Sequence, residues 1–247
     1  MKPVVTYDIF CDASVGPDLR GCCSGALIER REPIQSYIDR TFQYTIQPKG
    51  TNNSGEIGAV ALGVSCAISL HNYMKEEFTP RFNLFSDSLI SIRGVREWME
   101  GWIARSDKDG NLRNSSGSIV ANQEFFKFIF NAITANPDID INFLHQDGHV
   151  LARFDSIRTN FQKFNGIQPE DVGKSPESLC MANDFVDRET RKIINQYLSC
   201  SPEYLPDDWQ DSDLDLIMSF YKNDKINDCS PANIAQYRKI VSYVHVQ

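Results

Sequence analysis

Residues 4–12, VVTYDIFCD, decide the fold class of this chain. The segment is rich in β-branched and aromatic residues, which favour strands, and it runs into the small, turn-forming residues 13–17 (ASVGP). A strand that ends on an acid carries a carboxylate to one edge of its sheet. Asp12 is therefore the first candidate functional residue.

The segments that follow predict a sheet covered by helices. Residues 22–31 and 34–46 are typical of two further strands, and residues 51–54 (TNNS) are typical of a helix start. Apolar residues then recur every three to four positions from Ile57 to Ile68, as on a helix packed against a sheet. Further elements are predicted as strands at 82–85 and 138–144 and as helices at 90–105, 122–135 and 183–198. This order predicts an α/β fold, a mixed sheet flanked by helices.

Two regions depart from this alternation. Residues 148–180 show no clear pattern apart from a helix near 154–164, and after residue 201 the composition becomes acidic. We expect a domain at 1–198 with an insertion at about 148–180, followed by a small helical C-terminal extension at 199–247. The extension carries an apolar helical face that we expect to pack on the domain, formed by Leu214, Ile217, Met218 and Tyr221.

Composition limits the classes of function. The chain has 247 residues and a net charge of −8, from 25 basic and 33 acidic residues, which argues against nucleic-acid binding by bulk basicity. The longest apolar stretch, 57–70, is shorter than the ~20 residues of a membrane span, and the N-terminus lacks a signal-peptide pattern. Seven cysteines without a Cys-x-x-Cys pair give no support to a zinc site or a disulfide framework. We expect a cytoplasmic, monomeric protein with no membrane partner.

Four acids stand out by position: Asp12, Glu56, Asp87 and Asp187. They lie at predicted strand ends and helix starts, which can converge at one edge of a sheet. Crowded carboxylates repel one another unless cations bind among them, and hard oxygen ligands suit Mg²⁺ or Mn²⁺. Two such ions roughly 4 Å apart can activate a water and stabilise a leaving oxygen in phosphodiester hydrolysis. The alternative for each acid is a helix cap or a solvated turn.

The segments around these acids give the set more weight. Across residues 4–191 the chain resembles type 1 ribonuclease H. The matching pieces, in chain order, are 10–14 (FCDAS), 25–27 (GAL), 51–56 (TNNSGE), 85–88 (FSDS), 98–102 (WMEGW), 122–126 (NQEFF) and 183–187 (NDFVD).

This resemblance implies a role for each matched residue. It implies that Asp12, Glu56, Asp87 and Asp187 hold two metal ions, and that Thr51 and Asn122 hold a DNA phosphate. For these last two, helix capping is the alternative. Asn52 and Asn53 match residues that contact the RNA strand in the minor groove. His145 or His149 matches a mobile histidine that assists proton transfer, the alternative being two solvated loop histidines.

The chain also departs from the family pattern. Residues 15–18 (VGPD) lack an RNA-contacting Asn, Leu89 replaces a frequent Gln, and residues 103–121 lack a lysine-rich protrusion. About thirty extra residues precede Asp187. Arg153, Arg158 and Lys163 in this insertion are predicted to bind substrate in place of the protrusion, or else to solvate an amphipathic helix.

Together these patterns predict a metal-dependent endonuclease that cleaves the RNA strand of RNA–DNA hybrids with two Mg²⁺ or Mn²⁺ ions. One alternative is a binding or assembly module of the same fold with weak or lost catalysis. Another is a related nuclease that acts on DNA or structured RNA.

Overall fold

The structure, a computed structural model, describes residues 2–19, 21–32, 39–47, 49–149, 151–199 and 230–242. The predicted apolar face at 214–221 lies outside the described residues.

Five strands form one mixed sheet in the order β3-β2-β1-β4-β5. They are β1 (Val4–Val15), β2 (Cys22–Arg30), β3 (Arg40–Gln47), β4 (Thr79–Ser86) and β5 (Ile141–His145). β2 pairs antiparallel with both β1 and β3, whereas β4 pairs parallel with both β1 and β5. The C-terminal ends of β1, β4 and β5 therefore meet at one edge of the sheet. The predicted α/β fold with a mixed sheet flanked by helices is confirmed.

Helices cover both faces of the sheet. They are α1 (Asn52–Met74), α2 (Leu89–Arg93), α3 (Met99–Ala104), α4 (Gln123–Ala135), α5 (Phe154–Asn165), α6 (Pro176–Ser199) and α7 (Pro231–Ser242). A π-helical turn, Gly94–Trp98, joins α2 to α3.

The alternation of side chains along β1 assigns each face its own core. Val5, Tyr7, Ile9 and Cys11 belong to a buried cluster that also contains the apolar residues of α1 and α4. Phe10 points the other way, into a second cluster with the buried residues of α5 and α6. Every even-numbered residue of β1 from Asp8 to Ser14 therefore faces α5 and α6.

On that second face the sheet is layered. Phe10 pairs in register with Phe85, which pairs with Leu144, and these apolar side chains separate two polar ends. Towards one end of the strands, Asp8 of β1 and Asn83 of β4 form a row of polar side chains that continues into β5. On the other side, at the C-terminal edge of the parallel strands, lies Asp12.

α1 is long and apolar enough to resemble a membrane span by length and composition, the one such helix in the described ranges. Most of its apolar residues are buried against the sheet, and more than half of its most apolar window is buried. A side chain at Gly63 would come within 2.6 Å of the Cys11 sulfur, so this glycine permits the close contact between α1 and β1. α1 is a core helix.

α7 packs on the first core. Tyr237, Ile240 and Val241 are buried in that cluster, and the Tyr237 hydroxyl donates a 2.7 Å hydrogen bond to the Val95 carbonyl in the π-helical turn. The extension thus contributes a helix that packs on the domain, and a helical extension is what the sequence predicts. The boundary at residue 198 itself stays a prediction.

Several predicted elements differ from those observed. β5 begins at Ile141 rather than 138, because residues 137–140 form a turn that leads into the strand. α6 begins at Pro176 rather than 183, inside the segment 148–180, which shows no clear pattern beyond its short helix. Asp187 consequently lies in the middle of a helix and not in its first turn, and Glu56 lies one turn into α1.

Candidate active site

Two of the four predicted acids come from neighbouring parallel strands. Cys11 pairs with Ser86, so Asp12 and Asp87 follow at adjacent positions of β1 and β4, on strands about 4.8 Å apart. Asp12 is 5% exposed, and its Oδ1 accepts a 2.7 Å hydrogen bond from the backbone N–H of Ala13. The end of the sheet thus holds two largely buried carboxylates.

Glu56 and Asp187 add further negative charge to this pair. Burial, together with the charges of Asp87, Asp187 and Glu56, raises the pKa of Asp12 to about 8. Burial, with the Glu56 charge, raises the pKa of Asp87 to about 6. Asp12 and Asp87 are therefore electrostatically linked to Glu56 and Asp187, and added positive charge would favour the ionised forms of Asp12 and Asp87.

α6 supplies both an acid and an amide to this group. Asn183 is buried and its Nδ2 donates a hydrogen bond to Asp12 Oδ2 at 3.2 Å. Asp187, one turn further on, is turned towards the sheet, where the Ser14 hydroxyl lies 3.5 Å from its Oδ1. Asp184 points elsewhere and pairs with Arg188, which favours Asp187 as the fourth acid of the site.

Two protein side chains, those of Arg191 and His149, already lie against the Asp187 carboxylate. Arg191 Nη2 lies 2.8 Å from its Oδ1 and 3.0 Å from its Oδ2, and His149 Nδ1 lies 3.6 Å from Oδ2. Among the described residues, no three His, Cys, Asp or Glu side chains stand together in a group that could hold a metal ion. The Asp12 oxygens accept hydrogen bonds from Ala13 and Asn183, and the Asp187 oxygens pair with Arg191.

The two histidines occupy different environments. His145 is buried, its Nε2 donates to the backbone carbonyl of Asp87 at 3.2 Å, and its ring packs edge-on against Phe164. Burial lowers its pKa and so favours the neutral ring. His149 lies on the loop after β5 with 66% of its side chain exposed, beside Asp187. Only His149 faces the carboxylates with its imidazole.

The loop between the histidines lies against Asp87. A side chain at Gly148 would come within 2.0 Å of Asp87 Oδ2, so only glycine permits the backbone to pass there. The glycine of the HQDGH segment is thus required by the carboxylate beside it.

Comparison with known proteins identifies the family. The model of the RNase H family matches residues 5–151, more than half of the chain. The chain belongs to the RNase H family. The match includes Asp12, Glu56, Asp87 and both histidines, and it ends before Asp187.

The individual proteins that the chain is similar to share little sequence identity with it. Rat Ribonuclease H1 is 29% identical over 99 residues, which are 40% of this chain and 30% of the rat protein. The solved structure of LC9-RNase H1, a type 1 RNase H with the type 2 active-site motif, is 19% identical with a TM-score of 0.45, covering 73% of this chain and 77% of that one. RNase H1 from the archaeon Halobacterium salinarum NRC-1 is 10% identical with a TM-score of 0.36, covering 67% and 96%.

In this RNase H chain the predicted phosphate-binding residues begin two neighbouring helices. Thr51 caps α1: its Oγ1 accepts the Ser54 N–H at 3.2 Å, and Ser54 Oγ accepts the Thr51 N–H at 2.8 Å. Asn122 precedes α4 in a left-handed conformation, with φ of 55°, and its side chain makes no capping hydrogen bond. Capping therefore explains Thr51 and does not explain Asn122. Asn52 and Asn53 are exposed in the first turn of α1.

The insertion of this RNase H chain forms a helix over the second core. Ile157 and Phe161 of α5 are buried there, as the apolar spacing predicted. Arg153 and Lys163 are exposed, but Arg158 pairs with Glu170 at 2.6 Å. Arg153 and Lys163 therefore carry positive charge that no acid of the described residues pairs with, whereas Arg158 is paired.

Sequence reasoning missed Asn183 and Arg191 as site residues. Both lie four positions from Asp187, one on each side, and on a helix such residues share a face. That spacing was the available signal, but it requires α6 to extend through all three positions. The placement of α6 at 183–198 left Asn183 at the helix start.

Proposed function

We propose that this chain is a metal-dependent endonuclease that cleaves the RNA strand of RNA–DNA hybrids. The observation that carries the proposal is the electrostatic linkage of Asp12, Glu56, Asp87 and Asp187 at the C-terminal edge of the parallel strands. Membership of the RNase H family supports the same activity.

The donor set fits divalent cations. The carboxylates supply only hard oxygen ligands, and burial together with neighbouring negative charge raises the pKa values of Asp12 and Asp87. Asp12, Glu56, Asp87 and Asp187 would hold the ions. Two Mg²⁺ or Mn²⁺ ions, when bound, supply water activation and stabilisation of the leaving oxygen.

The other residues of the site position these acids and the substrate. Asn183 holds Asp12 through its amide, and His145 holds the backbone at Asp87. His149, exposed beside Asp187, is suited to take up or release a proton at its imidazole as product leaves. Thr51 and Asn122 would hold a phosphate of the DNA strand, and Asn52 and Asn53 would contact the RNA strand.

One observation favours a second candidate function, a binding module with weak catalysis. Arg191 neutralises Asp187, so a metal ion must displace this ion pair before four carboxylates can act together. The Arg191 side chain of this pair is 61% exposed, although that of Asp187 is only 13% exposed, so the guanidinium can return to water when a cation takes its place. We therefore favour the enzyme.

The test is incubation of the purified protein with labelled RNA–DNA hybrid, duplex DNA and duplex RNA, each with Mg²⁺, with Mn²⁺ and with EDTA. We expect the RNA strand of the hybrid to be cut in the presence of either metal and no substrate to be cut in EDTA. Hybrid binding without cleavage would favour the binding module, and cleavage of another substrate would favour a related nuclease.

A further inference from the structure

Gln146 shares a sheet row with the carboxylates. The β4–β5 ladder pairs Ser86 with His145, and the Gln146 backbone N–H donates to the Ser86 carbonyl at 3.0 Å, which continues the ladder by one residue. Gln146 therefore follows β5 at the position where Asp87 follows β4 and Asp12 lies in β1. Because side chains alternate, Gln146 shares the face of Leu144, the face covered by α5 and α6.

The side chain of Gln146 is buried and unsatisfied. The residue is 0% exposed, and within the described part of the chain neither Nε2 nor Oε1 has a hydrogen-bond partner. A buried amide without partners destabilises a fold, and native proteins rarely retain one without a reason such as a bound ion, a water or a catalytic role.

The next residue, Asp147, does have hydrogen-bond partners for its side chain. Asp147 accepts hydrogen bonds from Ser156 Oγ, at 3.2 Å, and from Asn160 Nδ2. The loop after β5 thus has donors available, and they are directed to Asp147. Gln146 instead keeps a buried amide without a partner among the described residues, in the sheet row that continues through Asp87.

The same site shows what a buried amide can do there. Asn183 donates from Nδ2 to Asp12 Oδ2 and so holds the carboxylate in place without adding charge. Side chains that hydrogen-bond to metal-binding carboxylates orient them, and their loss typically weakens metal binding about 10- to 100-fold.

We propose that Gln146 is a positioning residue of the carboxylate site, whose Nε2 donates a hydrogen bond to the Asp87 carboxylate when a divalent cation binds. The amide then gains the acceptor that it lacks in this structure. Gln146 would thus add to the support that Asn183 gives to Asp12. The inference rests on the proposed function only in taking these acids as a metal site.

The test uses the full chain and Mn²⁺ alone. Gln146→Met removes the amide at nearly constant size, and Gln162→Met, at an exposed position of α5, is the matched control. Calorimetric titration should show a Mn²⁺ Kd about 10-fold higher for Gln146→Met than for wild type, and no change for the control. In EDTA the melting temperature of Gln146→Met should equal or exceed that of wild type, because an unsatisfied polar group has been removed.

Two further measurements separate positioning from a structural role. In hybrid cleavage the Mn²⁺ concentration for half-maximal rate should rise for Gln146→Met, while kcat at saturating Mn²⁺ and KM for hybrid stay near wild type. In wild-type protein the side-chain NH₂ resonance of Gln146 should shift on Mg²⁺ binding, and that of Gln162 should not.

An unchanged Mn²⁺ Kd, an unshifted Gln146 resonance or a large loss of stability in EDTA would each overturn the proposal. Absence of hybrid cleavage by the wild type, with the Mn²⁺ Kd of Gln146→Met still raised, would overturn the proposed function and leave the role of Gln146 intact.

Discussion

Arg191 holds both carboxylate oxygens of Asp187, at 2.8 and 3.0 Å, from one turn further along α6. The guanidinium thus pairs with the acid that would complete the proposed metal site. The Arg191 side chain is 61% exposed and can return to water when a cation takes its place, whereas the Asp187 side chain is only 13% exposed.

Removal of this competitor should strengthen metal binding. We expect Arg191→Met to lower the Mn²⁺ Kd by about 2- to 5-fold, which corresponds to at most about 1 kcal/mol for an ion pair whose arginine is exposed to solvent. Calorimetric titration measures the change. Arg188→Met, which breaks the Asp184 pair on the same helix, is the control and should leave the Kd unaltered. A weaker Mn²⁺ affinity for Arg191→Met would show that Arg191 supports the site.

The raised pKa of Asp12 predicts a pH dependence of stability in the absence of metal. The folded pKa, about 8, lies above the unfolded value near 3.8, so the folded protein retains a proton that unfolding releases. The contribution of Asp12 to stability is therefore fully present below about pH 4 and is lost as pH rises to about 8.

Asp12→Asn should remove this loss. Urea unfolding in EDTA should show the variant gaining stability relative to wild type between pH 5 and 8, and Mg²⁺ should reduce the difference. The comparison is made against wild type because the lowered pKa of His145 has the opposite sign. A stability difference that does not vary with pH would contradict the linkage of the four acids.

Asp8, on the same face of β1 as Asp12, serves stability. Its carboxylate is fully buried, receives two hydrogen bonds from Arg31, at 2.7 and 2.8 Å, and lies 3.1 Å from Lys174 Nζ. Removal of one partner of a buried pair costs about 3–5 kcal/mol. Arg31 and Lys174 are partly exposed and can regain some water, so we expect Asp8→Ala to lose about 3 kcal/mol in urea unfolding.

The exposed acid Asp109 provides the control for Asp8. Asp109→Ala should change the free energy of unfolding by less than about 0.5 kcal/mol. If Asp8→Ala lowers the free energy of unfolding as little as the control does, the burial of Arg31 and Lys174 does not depend on the Asp8 carboxylate.

The insertion is predicted to aid substrate binding. Replacement of Arg153, Arg158 and Lys163 with Ala should raise KM for hybrid and flatten its salt dependence, with little change in the rate at saturating substrate. Since Arg158 is paired with Glu170, Arg158→Ala alone should have the smallest effect of the three single variants. Steady-state kinetics at several salt concentrations test both statements, and an unaltered salt slope in the triple variant would leave the insertion without a role in binding.

Local patterns predicted the sheet and its acids well. The β-rich run at 4–12 and the end of the strand at 82–85 predicted Asp12 and Asp87 directly, but β1 continues to Val15, so Asp12 lies within the strand and does not end it. Interactions between distant segments were not predictable in this way. Nothing local distinguishes His145 from His149, yet the packing of α5 buries the first and leaves the second exposed.

The start of α6 shows the same limit. Pro176 begins the helix, and residues 176–182 pack into the second core through Leu179, Cys180 and Ala182. Their apolar spacing is too short to stand out in a polar segment, so tertiary contacts decide that start. The placement of Asp187 in mid-helix, with partners four residues away on each side, follows from it.

The central claim is that the linked carboxylates cut the RNA strand of a hybrid with the help of metal. The most direct measurement is cleavage of hybrid with labelled RNA in Mg²⁺ by wild type, by Asp87→Asn and by Asp184→Asn, with hybrid affinity measured in parallel. We predict cleavage by wild type and by the Asp184→Asn control, and no detectable cleavage by Asp87→Asn, whose hybrid affinity stays within a few fold. Cleavage by Asp87→Asn at the wild-type rate, or none by wild type, would contradict the account.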